Sequence, residues 1–70
     1  MKLSARNMLK GTVVDVRKDS VGAQVQVDIG GGNTVTSTIT ADSANRLGLE
    51  KGKAATVVIK ASDVLLMVDD

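Results

Sequence analysis

Nine residues, Val21–Ile29, alternate strictly: Val21, Ala23, Val25, Val27 and Ile29 are apolar, while Gly22, Gln24, Gln26 and Asp28 between them are small or polar. A period of two over that length predicts an extended strand with one buried face. The strand runs into Gly30-Gly31-Gly32-Asn33, a cluster suited to positive φ, which predicts a hairpin loop. Thr34–Thr40 then returns as the partner strand, with Val35 and Ile39 inward and Thr34, Thr36, Thr38 and Thr40 as an outward row. Threonines fit a pleated surface and are poor in a helix.

The remaining elements are read around this hairpin. Upstream, Lys10–Val16 predicts a strand carrying Val14 and Val16 beside Thr12, Val13 and Asp15, and Arg17-Lys18-Asp19-Ser20 is its turn. Downstream, Ala41–Leu47 is the one helix-like stretch, with N-cap candidates at Thr40, Asp42 and Ser43 and a stop at Gly48. Leu47 and Leu49 are expected to close it onto the core. After a turn at Glu50–Lys53, Ala55–Lys60 and Asp63–Val68 read as two further strands. The unbroken Val64-Leu65-Leu66-Met67-Val68 does not alternate, which predicts burial on both faces. Three strands, a short helix and two strands predict an all-β fold, a small five-stranded OB-like barrel with one short helix between strands three and four. Nothing in the composition marks a linker, so residues 1–70 read as a single domain.

What such a barrel can do is narrowed by what the chain lacks. It has no Cys, His, Trp, Tyr or Phe. Thiol chemistry, imidazole acid–base catalysis and histidine metal ligation are therefore excluded. OB-folds that bind nucleic acid stack bases on aromatic side chains in a basic groove, and a chain with no aromatic residue and a net charge of +1 has neither part. Asp15, Asp28 and Asp42 are scattered and form no catalytic pair, and Gly30–Gly32 leads into no helix and lacks the lysine of a phosphate loop. No enzyme activity is expected. The run Val64–Val68 is too short to span a bilayer, and Met1–Lys10 lacks the apolar core of a signal peptide. A cytoplasmic location without a membrane or nucleic-acid partner is the expectation. A 70-residue chain with no disulfide gains stability by association, so self-assembly is expected too.

Three segments carry donors suited to an anion. Ser4-Ala5-Arg6-Asn7 places a hydroxyl, a guanidinium and an amide together, Thr40 and Ser43 flank a helix start, and Lys60-Ala61-Ser62 adds an ammonium, a hydroxyl and backbone donors. Each has an ordinary reading alone, as a cap or a solvated charge. Together they contain no carboxylate.

These same residues give the chain a family resemblance. Ser4-Ala5-Arg6-Asn7, Leu9-Lys10-Gly11, Thr38-Ile39-Thr40 with Ser43, Leu47-Gly48-Leu49 and Lys60-Ala61-Ser62 resemble the molbindins, small Mop proteins built from one transport-associated OB (TOBE) domain. The likeness runs from Met1 to about Val68. The same domain occurs in molybdate-responsive transcription regulators and in molybdate-transporter ATPases. The resemblance implies a homohexamer, a trimer of dimers, that holds molybdate or tungstate at subunit interfaces and needs no organic cofactor. It assigns Ser4, Ala5, Arg6, Thr40, Ser43, Lys60, Ala61 and Ser62 to an interface oxyanion site. A second site near the threefold axis would use the turn at Lys18, Ser20, Val21 and Ala23. Many relatives have Asn where this chain has Gly22, so no side-chain contact carries over there. No residue is expected to ligate a bare cation.

Elementary chemistry agrees with that ligand. Molybdate is a dianion with four acceptor oxygens and no donor, which a site of N–H, O–H and cationic groups satisfies fully. Hydrogen phosphate brings a proton that such a site leaves unpaired, at a cost of about 1–3 kcal/mol. The expected function is intracellular molybdenum storage, buffering or homeostasis. The alternative is a small OB-like module for nucleic-acid binding or oligomerisation with no specific ligand.

Overall fold

The structure, a computed structural model, describes residues 3–69. It contains strands β1 (Asn7–Lys18), β2 (Gly22–Gly30), β3 (Asn33–Thr40) and β4 (Ala54–Ile59), with helix α1 (Ala41–Arg46) between β3 and β4. The strands form one open antiparallel sheet in the order β3-β2-β1-β4.

The hairpin forms as its alternation predicts. Ala23, Val25 and Val27 are buried, and they stand opposite Ile39, Ser37 and Val35. Gly31 and Gly32, at φ +64° and +79°, make the two-residue loop, a conformation that suits the twist of the paired strands. Val21 is the exception. It precedes the strand and is 79% exposed.

Strand β1 is longer than Lys10–Val16 and inverts part of the expected face. Val13 is buried and Val16 packs on the core, whereas Val14 is exposed. Two inward residues three apart break strict alternation, and the cause is a bulge between Val13 and Asp15, where Val14 is the extra residue. The change of partner falls just before the bulge, at Thr12. Residues up to Thr12 pair with β4 (Asn7 opposite Ile59, Thr12 opposite Ala54), and residues from Thr12 onward pair with β2 (Thr12 opposite Asp28, Val16 opposite Val25, Lys18 opposite Ala23). Gly11 lies at this crossing because only a residue without Cβ fits. A Cβ there would collide with the Asp28 carbonyl oxygen and stand 2.8 Å from Val27 Cγ1.

Helix α1 is six residues long and buries Ala41 and Ala44. Its end is fixed by paired backbone bonds, Gly48 N donating to Asn45 O at 3.1 Å and Leu49 N donating to Ala44 O at 3.1 Å. That turn sends Leu49 onto the core but leaves Leu47, expected to join it, 58% exposed.

The expected fifth strand over Asp63–Val68 does not form. A single 3-10 turn at Ala61–Asp63 ends the ladder after Ile59, and residues 64–69 take no regular structure. An apolar run has strand propensity, but propensity supplies no pairing partner. Leu65, Leu66 and Met67 are 93%, 92% and 88% exposed. The sheet therefore stays open with four strands instead of closing as a five-stranded barrel.

Gly11→Ala is expected to cost roughly 1–3 kcal/mol by overpacking, read as a lower urea midpoint at unchanged slope. Gly22→Ala is the control, since its nearest neighbour would be the Ile39 carbonyl oxygen at 3.8 Å. Equal shifts at both positions would contradict the close-approach account.

Candidate functional site

Two of the expected donor segments meet because β1 and β4 pair. The register that sets Asn7 opposite Ile59 brings the residues before Asn7 alongside those after Ile59. Asn7 Nδ2 reinforces the junction by donating to Ile59 O at 3.2 Å. The chain thus leaves the ladder at the same end on both strands, with Ser4, Ala5 and Arg6 before Asn7 and Lys60, Ala61 and Ser62 after Ile59. Arg6, Lys60 and Ser62 are exposed, and neither cation forms an ion pair with any described residue. Ala61 and Ser62 open the 3-10 turn, where leading backbone N–H groups lack partners within the turn. This end of the sheet presents one guanidinium, one ammonium and two hydroxyls, all able to donate.

Thr40 and Ser43 lie elsewhere. Thr40 stands opposite Gly22 at the far end of the sheet, beside the Lys18–Ala23 pairing. All of β1 separates it from the first cluster, twelve residues or roughly 35 Å of extended chain. Here the two hydroxyls cap the helix. Ser43 N donates to Thr40 Oγ1 at 3.0 Å, and Thr40 Oγ1 donates to Ser43 Oγ at 2.8 Å. Within one chain, then, the eight residues of the expected interface site form two groups facing different ends.

The turn expected to build a second site adjoins Thr40. Lys18 Nζ donates to Asn45 Oδ1 at 2.6 Å, tying the turn to α1. Val21 N and Gly22 N both donate to Asp19 Oδ1 at 2.8 Å. The Val21 N–H is therefore already engaged, and by a carboxylate. Ser20 is exposed at the tip and Ala23 is buried in β2. Lys18 and Ala23 also line an open groove of about 460 Å³, together with Arg17, Gln24 and Thr38. Sequence reading missed these last three. Their convergence comes from the register Gln24 opposite Thr38 and Arg17 opposite Gln24, which the loop and the bulge set. Among the described residues, no group of three or more acidic, His or Cys side chains is placed to hold a metal ion.

A family model described as the TOBE domain matches residues 3–66. A Haemophilus influenzae protein named probable molybdenum-pterin-binding protein is 49% identical over 69 residues, covering 99% of this chain and 100% of its own. A structure described as a molybdate binding protein from Sporomusa ovata superposes with a TM-score of 0.90 at 34% identity, covering 97% of this chain and 100% of that one. A structure of ModG, described as a cytoplasmic molybdate-binding protein with molybdate bound, gives a TM-score of 0.88 at 43% identity and covers 93% of this chain and 46% of that one.

The Asp19 turn gives a pH signature. Hydrogen bonds from the Gly22 and Val21 amides hold its carboxyl below the ordinary value of 3.8. A depressed folded-state pKa contributes stability above that ordinary value, and the contribution is lost as pH falls through the lowered one. Asp19→Asn keeps an acceptor for both amides but cannot titrate. Thermal melts between about pH 2 and about pH 7 are expected to show a flatter acid limb for this variant, and an unchanged limb would remove Asp19 from the account.

Proposed function

We infer the function from the family to which this chain belongs, the TOBE domain family. We propose that it binds molybdate or tungstate, without catalysis, as a cytoplasmic protein for molybdenum storage, buffering or homeostasis. The observation that supports this reading is the pairing of Asn7 with Ile59, from which exposed Arg6 and exposed Lys60 both leave the same end of the sheet. The names of the similar proteins from Sporomusa ovata and of ModG support the ligand, and the description of ModG supports the compartment. Among the described residues, no helix is long and apolar enough to cross a membrane.

The ion sits between subunits in this reading. Arg6 and Lys60 supply the compensating charge, Ser4 and Ser62 donate hydroxyl hydrogens, and the Ala5 and Ala61 backbones complete one half-shell. Thr40 and Ser43 of another copy supply the other half. Their mutual hydrogen bond uses the Thr40 proton but leaves that of Ser43 free to donate. A homohexamer arranged as a trimer of dimers would repeat this site. Lys18, Ser20, Val21 and Ala23 would form a second, which an anion enters by taking the Val21 N–H from Asp19.

Metal analysis of the purified protein is expected to find molybdenum or tungsten after growth with either oxyanion, and an ion-free protein that also fails to bind added molybdate would reject the reading. In calorimetry, hydrogen phosphate at equal concentration is expected to leave molybdate bound. Arg6→Ala and Lys60→Ala should each weaken molybdate binding ten- to a hundredfold, since a hydrogen bond to a charged group contributes roughly 1.5–3 kcal/mol. Lys51→Ala removes the same charge from the turn before β4 and is expected to leave affinity unchanged. Equal small losses at all three positions would mean that the ion senses only net charge.

A further inference from the structure

The turn between β1 and β2 already holds an anion, and the anion is the chain's own. Asp19 Oδ1 accepts from Val21 N and from Gly22 N, both at 2.8 Å. Two backbone amides converging on one charged oxygen reproduce the contact that such amides make with a bound oxyanion. The same two bonds hold the Asp19 carboxyl below its ordinary pKa, so it is ionised at neutral pH. The backbone around it is fixed by other contacts. Asp19 N donates to Gly22 O at 3.0 Å, and Ala41 N donates to Val21 O at 2.9 Å. Lys18 Nζ is drawn to Asn45 Oδ1 at 2.6 Å. The fold therefore sets these amide donors in place, and the carboxylate sits on them.

We propose that Asp19 is a built-in competitor for the oxyanion at this turn. This rests on the oxyanion reading above, in which Lys18, Ser20, Val21 and Ala23 form the second site. A dianion entering the turn must first break a charge-assisted hydrogen bond, and then stand beside the carboxylate it has displaced. Neither cost applies to Arg6 and Lys60, whose cationic groups form no ion pair with any described residue. In water, a dianion about 4 Å from a single like charge loses about tenfold or more in affinity. The turn therefore fills only after the end of the sheet that carries Arg6 and Lys60. Uptake then continues over a wider range of oxyanion concentration than one class of site allows.

Molybdate titrations of the whole protein test this, followed by the amide NMR signals of Arg6, Val21, Gly22 and Lys60. In the parent, the Val21 and Gly22 signals are expected to move at a midpoint about tenfold or more above that of Arg6 and Lys60. Asp19→Ala frees both amides and is expected to lower the turn midpoint by about tenfold or more, with the Arg6 and Lys60 midpoint in place. Asp19→Asn keeps an acceptor for both amides without the charge, and its midpoint is expected between the two. If the alanine variant loses the turn, the asparagine variant alone carries the comparison. A turn midpoint that neither substitution lowers would overturn the proposal, as would parent signals that all move together. If Arg6 and Lys60 stay silent while the turn binds more tightly without the carboxylate, the sheet-end site is rejected and the competition at Asp19 stands. If Arg6 and Lys60 respond and the turn does so in none of the three proteins, the competition is rejected and the sheet-end site stands.

Discussion

The structure depends on β1 serving two partners in succession. Its first half pairs with β4 and its second with β2, and Thr12 stands opposite both Ala54 and Asp28. Such a strand must bend, and the bend is built from two local features. Gly11 lets the backbone pass against the Asp28 carbonyl, and the Val14 bulge re-aims the strand so that Val13 and Val16 both reach the core. Backbone bonds from Val13 hold the pivot from the other side, its N–H donating to Lys53 O and its carbonyl accepting from Gly52 N, both at 2.8 Å. Without the pivot, β4 would not lie beside Asn7, and Lys60 would not come near Arg6.

The core this pivot supports is thin. Among the described residues its fully buried side chains are no larger than valine, and three of the six buried positions are alanine. Much of the apolar content lies instead on outer surfaces, in Leu47, Val58 and the segment after Asp63. A small domain already buries a low fraction of its surface.

The legible parts of the sequence were those governed by local rules. The β2–β3 hairpin follows from period-two alternation and glycines at positive φ, and α1 from Thr40 at its start and Gly48 at its stop. On β1 the alternation that carries Val16 inward extends back only to the bulge at Val14, and on its other side the inward residue is Val13 in place of Val14. The run Val64–Val68 was read as a strand because its composition suits one, but composition names no partner. For the candidate site, the sequence offers donor groups by type, and their placement is set by long-range pairing. That Ser4–Arg6 adjoins Lys60–Ser62 depends on a register set across the whole chain, and so does the removal of Thr40 and Ser43 to the opposite end.

That removal has an arithmetic consequence. In the reading proposed above, a chain carrying one half of a site at each end holds no complete site alone, and two chains joined at one junction complete one and leave two halves idle. Only a closed ring or a twofold pair matches every half, so capacity equals the number of chains only at closure. Opening such a ring at a single seam removes a whole site, although no residue has been lost. Bound cargo would then act as a clasp, and dilution would release ions and subunits together.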